Sequence, residues 1–207
     1  MPRLEELDDP HMFEAYGLYL LTSNHRFVRR LKNYYSPTVH GHKTWRSSYL
    51  LMDYFGLKPL PRRARVMEVG CGWGPAGIFC AREFQARVTG VDMDEDVFPF
   101  LDVLAALNEV ELKTVRKRFQ DITKRDLAGQ HTLLGSDICF WDSMTKPLFN
   151  LTRRAMDAGV KQVVFADPGR TPFHKLADRC EKHFDVTCEP WYALEPKRSE
   201  GYVMVVK

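Results

Sequence analysis

Residues 66–75 read Val-Met-Glu-Val-Gly-Cys-Gly-Trp-Gly-Pro, an apolar run followed by alternating glycines and a proline. The apolar run predicts a buried strand, and Pro75 suits the first position of a helix, where its missing N–H costs nothing. Glycines at 70, 72 and 74 let the backbone turn sharply and come close to a ligand. The free N–H groups at the start of the helix would favour an anion. The segment therefore predicts a strand–turn–helix unit with a ligand site at the turn.

An acidic residue lies at the end of the next predicted strand. Asp92 follows Gly70 by 22 residues, a spacing at which a carboxylate can bind both ribose hydroxyls of a nucleoside. A dinucleotide-binding G-x-G-x-x-G pattern is an alternative. It fits from Gly72, two residues beyond the strand, whereas from Gly70 it meets Pro75 in place of its third glycine. A tight turn without a ligand is the remaining alternative.

Strand-like and helix-like segments alternate along the rest of the chain, which is typical of a parallel sheet with crossover helices. The last two strands are separated by a polar turn and are expected to pair antiparallel. We predict an α/β, Rossmann-like fold: a seven-stranded, mostly parallel sheet with an antiparallel last strand and helices on both faces. The predicted strands are Arg65–Val69, Ala86–Val91, Lys113–Phe119, His131–Cys139, Lys161–Ala166, Asp185–Cys188 and Tyr202–Val206.

The first sixty residues show a different pattern. The segment His11–Tyr35 is helix-like and rich in aromatic residues, and Ser36-Pro37 ends it. A second helix is predicted over Thr44–Phe55, with its first residue as the N-cap. Strand signals are too few for a second sheet. We therefore predict an N-terminal helical cap over residues 1–60 and an α/β domain over residues 61–207.

The composition argues against several classes of protein. Of the 207 residues, 44% are hydrophobic and 28% charged, which is enough apolar surface for a packed core. A net charge of +3 is too small to predict nucleic acid or a membrane surface as a partner. No apolar run reaches the ~18–20 residues of a transmembrane helix, and the N-terminus resembles no secretory signal. The five cysteines have no zinc spacing, so we expect a cytoplasmic protein with reduced thiols and no metal site.

The glycine segment and the acid after the second strand resemble the class I, seven-strand methyltransferases that use S-adenosylmethionine. The resemblance covers about residues 41–207 and implies S-adenosyl-L-methionine as cofactor, with Asp92 on the ribose and Met93 against the adenine. Asp121 and Ile122 match the positions that bind the adenine amino group and cover its ring. The implied cofactor-binding residues are Trp45, Glu68, Gly70, Cys71, Gly72, Gly74, Asp92, Met93, Asp121, Ile122 and Ser136.

Three further segments resemble the seven-strand protein-lysine methyltransferases, in particular those of the electron-transfer flavoprotein β-subunit type. They are Gly41-x-x-x-Trp45, Asp137-x-x-Phe140 and Asp167-Pro-Gly-Arg170. The chain departs from that group in having Phe where Tyr is commoner in the second segment, Arg46 after the tryptophan, and Ile122 where many members have Trp. The aromatic N-terminal segment has no counterpart in the group.

This resemblance implies a protein lysine as methyl acceptor, with Asp137, Phe140 and Trp141 as catalytic residues. Trp45 and the other two aromatic residues would form an apolar mouth that lowers the pKa of the lysine amine, and Asp137 would hold that amine in line. The aromatic residues could equally close the sheet, and the Asp could cap the next helix. A small-molecule amine as acceptor and a non-catalytic cofactor-binding protein are the alternative functions. Because nucleic-acid methyltransferase motifs are absent, we do not expect nucleic acid as a partner, and the small net charge and the lack of a long apolar run predict no membrane partner.

Overall fold

The computed structural model describes residues 9–38 and 41–207. The strands within the described residues are β1 Met12–Ala15, β2 Leu18–Leu21, β3 Arg65–Val69, β4 Arg87–Asp92, β5 Lys113–Arg116, β6 Thr132–Ser136, β7 Gln162–Asp167, β8 Val186–Ala193 and β9 Ser199–Val206. Strands β3 to β9 form one sheet in the order β5-β4-β3-β6-β7-β9-β8, and β9 runs antiparallel to both its neighbours. The predicted α/β fold with a mostly parallel seven-stranded sheet and an antiparallel last strand is confirmed.

Helices cover both faces of this sheet. The helices within the described residues are α1 Arg26–Leu31, α2 Ser47–Leu57, α3 Pro75–Phe84, α4 Phe98–Leu107, α5 Lys124–Leu127, α6 Asp142–Asp157 and α7 Thr171–Glu181. Successive strand residues point to opposite faces of the sheet, so Val66 joins the core under α2, α3 and α4, while Met67 and Val69 join the core under α6 and α7. In the described part of the chain, no helix combines the length and the apolar character needed to cross a membrane.

The N-terminal segment differs from the prediction of a helix over residues 11–35. Residues 12–21 form an antiparallel hairpin of β1 and β2, and only α1 is helical. The two turn residues, Tyr16 and Gly17, have φ values of 51° and 71°, a left-handed pair that matches the twist of a hairpin. The helical prediction was wrong because the aromatic content hid a strand pattern, in which Leu18 and Leu20 are buried around a partly exposed Tyr19.

The second predicted helix of this region is α2, which begins at Ser47 and does not use Thr44 as N-cap. The N–H of Ser47 donates to Oδ2 of Asp137 at 3.0 Å, so a side chain from a distant loop accepts one of the first-turn N–H groups that have no partner within the helix. The helix packs against β7, β8 and β9. The division of the chain at residues 60 and 61 stays a prediction, and the parts of the predicted cap at residues 1–8, 39 and 40 lie outside the described residues.

Candidate functional site

A cavity of about 480 Å³ opens where the carboxyl ends of β3, β4 and β6 meet, on either side of the reversal in strand order. Open α/β sheets bind ligands at this kind of switch point. Most of the predicted site residues are brought together here, whereas Glu68, Gly74, Asp121 and Ile122 do not line the cavity. The predicted residues that line it are Trp45, Gly70, Cys71, Gly72, Asp92, Met93, Ser136, Asp137, Phe140 and Trp141.

The glycine turn after β3 forms one wall of the cavity. Gly70, Gly72 and Gly74 have φ values of 61°, 51° and 68°, the left-handed region that favours glycine. A Cβ on Gly70 would lie 2.6 Å from Ile138, and one on Gly74 would lie 2.7 Å from Leu101, so packing requires glycine at both. A Cβ on Gly72 would meet no atom of the described residues within 4 Å. Gly72 therefore leaves cavity space open that any side chain would occupy.

Asp92 faces this turn from the end of β4. Its two carboxylate oxygens accept hydrogen bonds from the N–H groups of Gly72 and Asp94, each at 3.0 Å. Burial raises the pKa of Asp92, and these hydrogen bonds oppose that rise. Each carboxylate oxygen has a further acceptor position. The carboxylate can therefore accept hydrogen bonds from two hydroxyl groups of a ligand in the cavity.

Glu68 lies beneath the glycine turn instead of in the cavity. Its side chain is 1% exposed, and Oε2 accepts the N–H of Gly77 at 2.9 Å. Gly77 is in the first turn of α3, whose N-cap Gly74 has no side chain to offer, so Glu68 supplies the missing cap. Burial, with a smaller contribution from the charge of Asp92, raises the pKa of Glu68 to about 8. Glu68 supports the turn and does not line the cavity, so the cofactor contact predicted for it has no direct counterpart in the lining.

This pKa predicts a pH-dependent stability that Glu68→Gln should remove. The folded state holds a proton on Glu68 that the unfolded chain releases above about pH 4.5, so stability should fall as the pH rises from about 4.5 until the folded carboxyl itself ionises near pH 8. One proton corresponds to a slope of at most ~1.4 kcal/mol per pH unit. Urea unfolding from pH 5 to 8 measures the difference between wild type and Glu68→Gln. A difference that does not change with pH would contradict the assignment.

The loop after β5 contributes different residues from those predicted. Ile122 is buried, and Asp121 faces a neighbouring polar pocket. Residues 117–120 line the main cavity instead. The guanidinium of Arg154 on α6 fixes this loop by donating to the carbonyl oxygens of Phe119 at 2.5 Å and Ile122 at 2.9 Å. The adenine contacts implied for Asp121 and Ile122 therefore have no direct counterpart in the cavity lining.

Asp137 ends β6 and joins three elements through its carboxylate. It is 4% exposed with a φ of 53°, a left-handed conformation that stops the strand. Oδ1 lies 2.9 Å from Nη2 of Arg170, and Oδ2 accepts the N–H of Ser47. Arg170 also pairs with Asp167 at 2.7 Å through Nη1. Oδ2 of Asp137 thus holds α2, and the ionic contact of Oδ1 with Arg170 holds the loop after β7. A contact between Asp137 and a methyl acceptor stays a prediction.

The three aromatic residues predicted to form a mouth lie together. Trp45 and Phe140 meet edge to face with centroids 5.8 Å apart, and Phe140 lies 5.7 Å from Trp141. A cation lies over two of the rings: Nζ of Lys43 is 4.3 Å from the Trp45 centroid, and Cζ of Arg170 is 4.5 Å from the Phe140 centroid. Sequence reasoning found the rings but not these two cations.

The cavity offers neither a reactive thiol nor a metal-binding cluster among the described residues. Burial raises the pKa of Cys139 to about 12, so its thiol is protonated at neutral pH and a poor nucleophile. Residues 9–38 and 41–207 contain no group of three His, Cys, Asp or Glu side chains arranged to hold a metal ion. The groups that the cavity offers to a ligand are carboxylate, backbone N–H, aromatic and basic.

No family model and no curated protein match the sequence. Solved structures do match. TrmN from Thermus thermophilus aligns at a TM-score of 0.60 and 12% identity over 76% of this chain and 47% of that one, so this chain spans about half its length. Precorrin-6y C5,15-methyltransferase from Geobacter metallireducens aligns at a TM-score of 0.61 and 12% identity, over 84% of this chain and 94% of that one. An rRNA methylase from Streptococcus thermophilus aligns at a TM-score of 0.56 and 9% identity, over 78% of this chain and 93% of that one. At such identities the likeness shows a shared fold.

Proposed function

We propose that this chain, which has the fold of the class I methyltransferases, binds S-adenosyl-L-methionine and transfers its methyl group. Fold alone does not determine function, so the proposal depends on the site. The observation that carries it is that the glycine turn and Asp92 line one cavity at the switch point of the sheet. A volume of about 480 Å³ is in the range of sites that bind molecules of cofactor size.

The lining residues fit the chemical parts of this cofactor. Asp92 can accept hydrogen bonds from ribose hydroxyls, and the open space at Gly72 admits the cofactor close to the backbone. Met93 and Phe119 offer apolar surface to an adenine ring. The bound cofactor would supply an electrophilic methyl group on a sulfonium. The chain would supply orientation and exclusion of water, and orientation accounts for a large part of the rate of such a displacement.

The identity of the methyl acceptor does not follow from the residues that fit the cofactor. The prediction of a protein lysine depends on the resemblance of the segments ending at Trp45, Phe140 and Arg170, and none of the three neighbours described above is named as a lysine methyltransferase. One is named as an rRNA methylase and another as a precorrin methyltransferase. The proposed function is therefore methyl transfer, and it does not include a protein lysine as the acceptor.

Isothermal titration calorimetry of the full chain with S-adenosylhomocysteine tests this proposal. We expect saturable binding of one ligand per chain, and no binding of NADH under the same conditions. Binding of NADH in place of S-adenosylhomocysteine would favour the dinucleotide alternative. Binding of neither would favour the alternative of a tight turn without a ligand.

Gly72→Ala should weaken S-adenosylhomocysteine binding by roughly tenfold or more, ~1.4 kcal/mol, because its Cβ would enter the cavity. The left-handed backbone should also cost ~1–2 kcal/mol of stability. Gly159→Ala is the matched control: Gly159 has a φ of 84° and also meets no described atom within 4 Å, but it does not line the cavity. Equal affinity of the two variants would count against a ligand beside Gly72.

A further inference from the structure

The two cations over the aromatic mouth bear on the identity of the methyl acceptor. Lys43 lies over Trp45, and Arg170 lies over Phe140, both within 4.5 Å of the ring centroid. The face of an aromatic ring attracts a cation, and here the protein's own side chains already use that attraction. A protonated lysine entering the mouth would meet the positive charge of Lys43, whereas the charge of Arg170 is balanced by Asp137 and Asp167. The charge of Lys43 therefore disfavours the binding of a cationic acceptor beside Trp45.

The carboxylates of the cavity do not reverse this balance. Among the described residues, Asp92 and Asp137 are the acidic side chains that line it. Asp137 is paired with Arg170, and Asp92 accepts hydrogen bonds from the backbone of the glycine turn. Neither is an uncompensated carboxylate beside the aromatic rings, where a lysine amine would have to be held.

Basic side chains contribute the remaining charge of the lining. Lys117 is paired with Asp126 at 2.7 Å. Within the described ranges, no ion pair is formed by Lys43 or by Arg118. Amines and guanidinium groups of this kind form strong charge-assisted hydrogen bonds with phosphate. The lining therefore favours an acceptor with negative charge.

Trp141 provides a surface for a planar group in the same cavity as these cations. Its side chain is 52% exposed, and its ring lies beside that of Phe140. Nucleobases stack on aromatic side chains of this type with little dependence on base identity. Aromatic surface next to a basic side chain is the combination that recognises a base together with its phosphate.

We infer that the methyl acceptor is a nucleobase that carries phosphate, with the base at Trp141 and the phosphate at Lys43. This inference rests on the proposed methyltransferase function. Free nucleotides and nucleic-acid strands share the required chemistry. In the transfer, the lone pair of a base nitrogen forms the new N–CH₃ bond, the S–CH₃ bond breaks with its electrons left on the sulfur of a neutral thioether, and any proton on the nitrogen passes to water. The small net charge, from which no nucleic-acid partner was predicted, does not report where the charges lie.

Tryptophan fluorescence of the protein saturated with S-adenosylhomocysteine tests the inference as a binding event. The probes are AMP, GMP, CMP, UMP and a short single-stranded RNA of mixed sequence. We expect a saturable change that Lys43→Glu weakens roughly tenfold or more. Lys58→Glu, an exposed charge reversal outside the cavity lining, should change the affinity by less than about twofold. Much tighter binding of RNA than of mononucleotides would identify a strand as the source, and equal binding a free nucleotide.

Transfer of tritiated methyl from labelled S-adenosylmethionine supplies the second measurement, with the same nucleotides, the RNA and poly-L-lysine as acceptors. Label in nucleotide or RNA is expected. If S-adenosylhomocysteine binds but no nucleotide probe does, or if label enters poly-L-lysine alone, the inference is overturned and the proposed function stands. If S-adenosylhomocysteine does not bind, the proposed function fails, and this inference fails with it.

Discussion

Asp92→Ala should weaken the binding of S-adenosylhomocysteine by on the order of 2–4 kcal/mol, or about thirtyfold to a thousandfold. The carboxylate is the group in the cavity placed to accept hydrogen bonds from ribose hydroxyls, and its removal leaves those hydroxyls without an acceptor. Because burial raises the pKa of Asp92, affinity in the wild type should also fall when acid protonates this carboxyl, which is then a weaker acceptor. Calorimetry at neutral and acidic pH measures both effects.

Two comparisons separate the loss of a ligand contact from damage to the turn. Asp92→Asn keeps an acceptor for one of the two backbone N–H groups and should lose less affinity than the alanine variant. Asp178→Ala removes an exposed carboxylate on α7, outside the cavity lining, and should leave affinity unchanged. Wild-type affinity in a folded Asp92→Ala protein would remove Asp92 from the cofactor site.

Asp137→Ala is expected to lower the free energy of unfolding by ~2–4 kcal/mol. The substitution breaks the buried pair with Arg170, leaves the N–H of Ser47 without its acceptor, and puts alanine at a φ of 53°. Arg170 keeps its pair with Asp167, which places the loss below that expected for a wholly orphaned charge. Urea unfolding monitored by circular dichroism measures the change.

The isosteric variant tests how Asp137 acts. Asp137→Asn tolerates the left-handed backbone and can still accept from Ser47, so it should recover about half of the lost stability. Both variants should bind S-adenosylhomocysteine within a few-fold of wild type, since Asp137 is engaged by the protein and not by the glycine turn. The loss of methyl transfer in each variant should follow its loss of stability, because Asp137 holds Arg170, which lies over the Phe140 ring of the aromatic mouth. A full loss of transfer in a stable Asp137→Asn protein would instead support direct contact with the acceptor.

Local signals account for what the sequence predicted well. The strand Arg65–Val69 has the predicted bounds and α3 begins at Pro75 as predicted, because an apolar run, positive-φ glycines and an N1 proline each act within a few residues. The same local reasoning missed the hairpin, whose Tyr16-Gly17 turn was hidden by aromatic residues that suit helices and strands alike. Strand β6 ends earlier than predicted because Asp137 takes a left-handed conformation that its sequence context does not signal.

The sequence predicted the glycine turn and Asp92 better than the aromatic side of the cavity. Asp92 and the glycines are fixed by spacing along adjacent parallel strands. The hydrogen bond from Ser47 to Asp137 joins residues that are 90 positions apart in the sequence. The positions of Lys43 and Arg170 over aromatic rings depend on side-chain conformations that no sequence spacing encodes. Lys117 and Arg118, two consecutive basic residues that line the cavity, are a sequence signal that could have indicated basic groups there.

A crystal structure of the full chain with S-adenosylhomocysteine tests the central claim most directly. We predict that the ligand occupies the cavity between the glycine turn and the loop after β6. Its ribose hydroxyls should lie within hydrogen-bonding distance of the Asp92 carboxylate, and the ligand should come closest to the protein backbone at Gly72. A ligand bound elsewhere, or in this cavity with its ribose away from Asp92, would contradict the account.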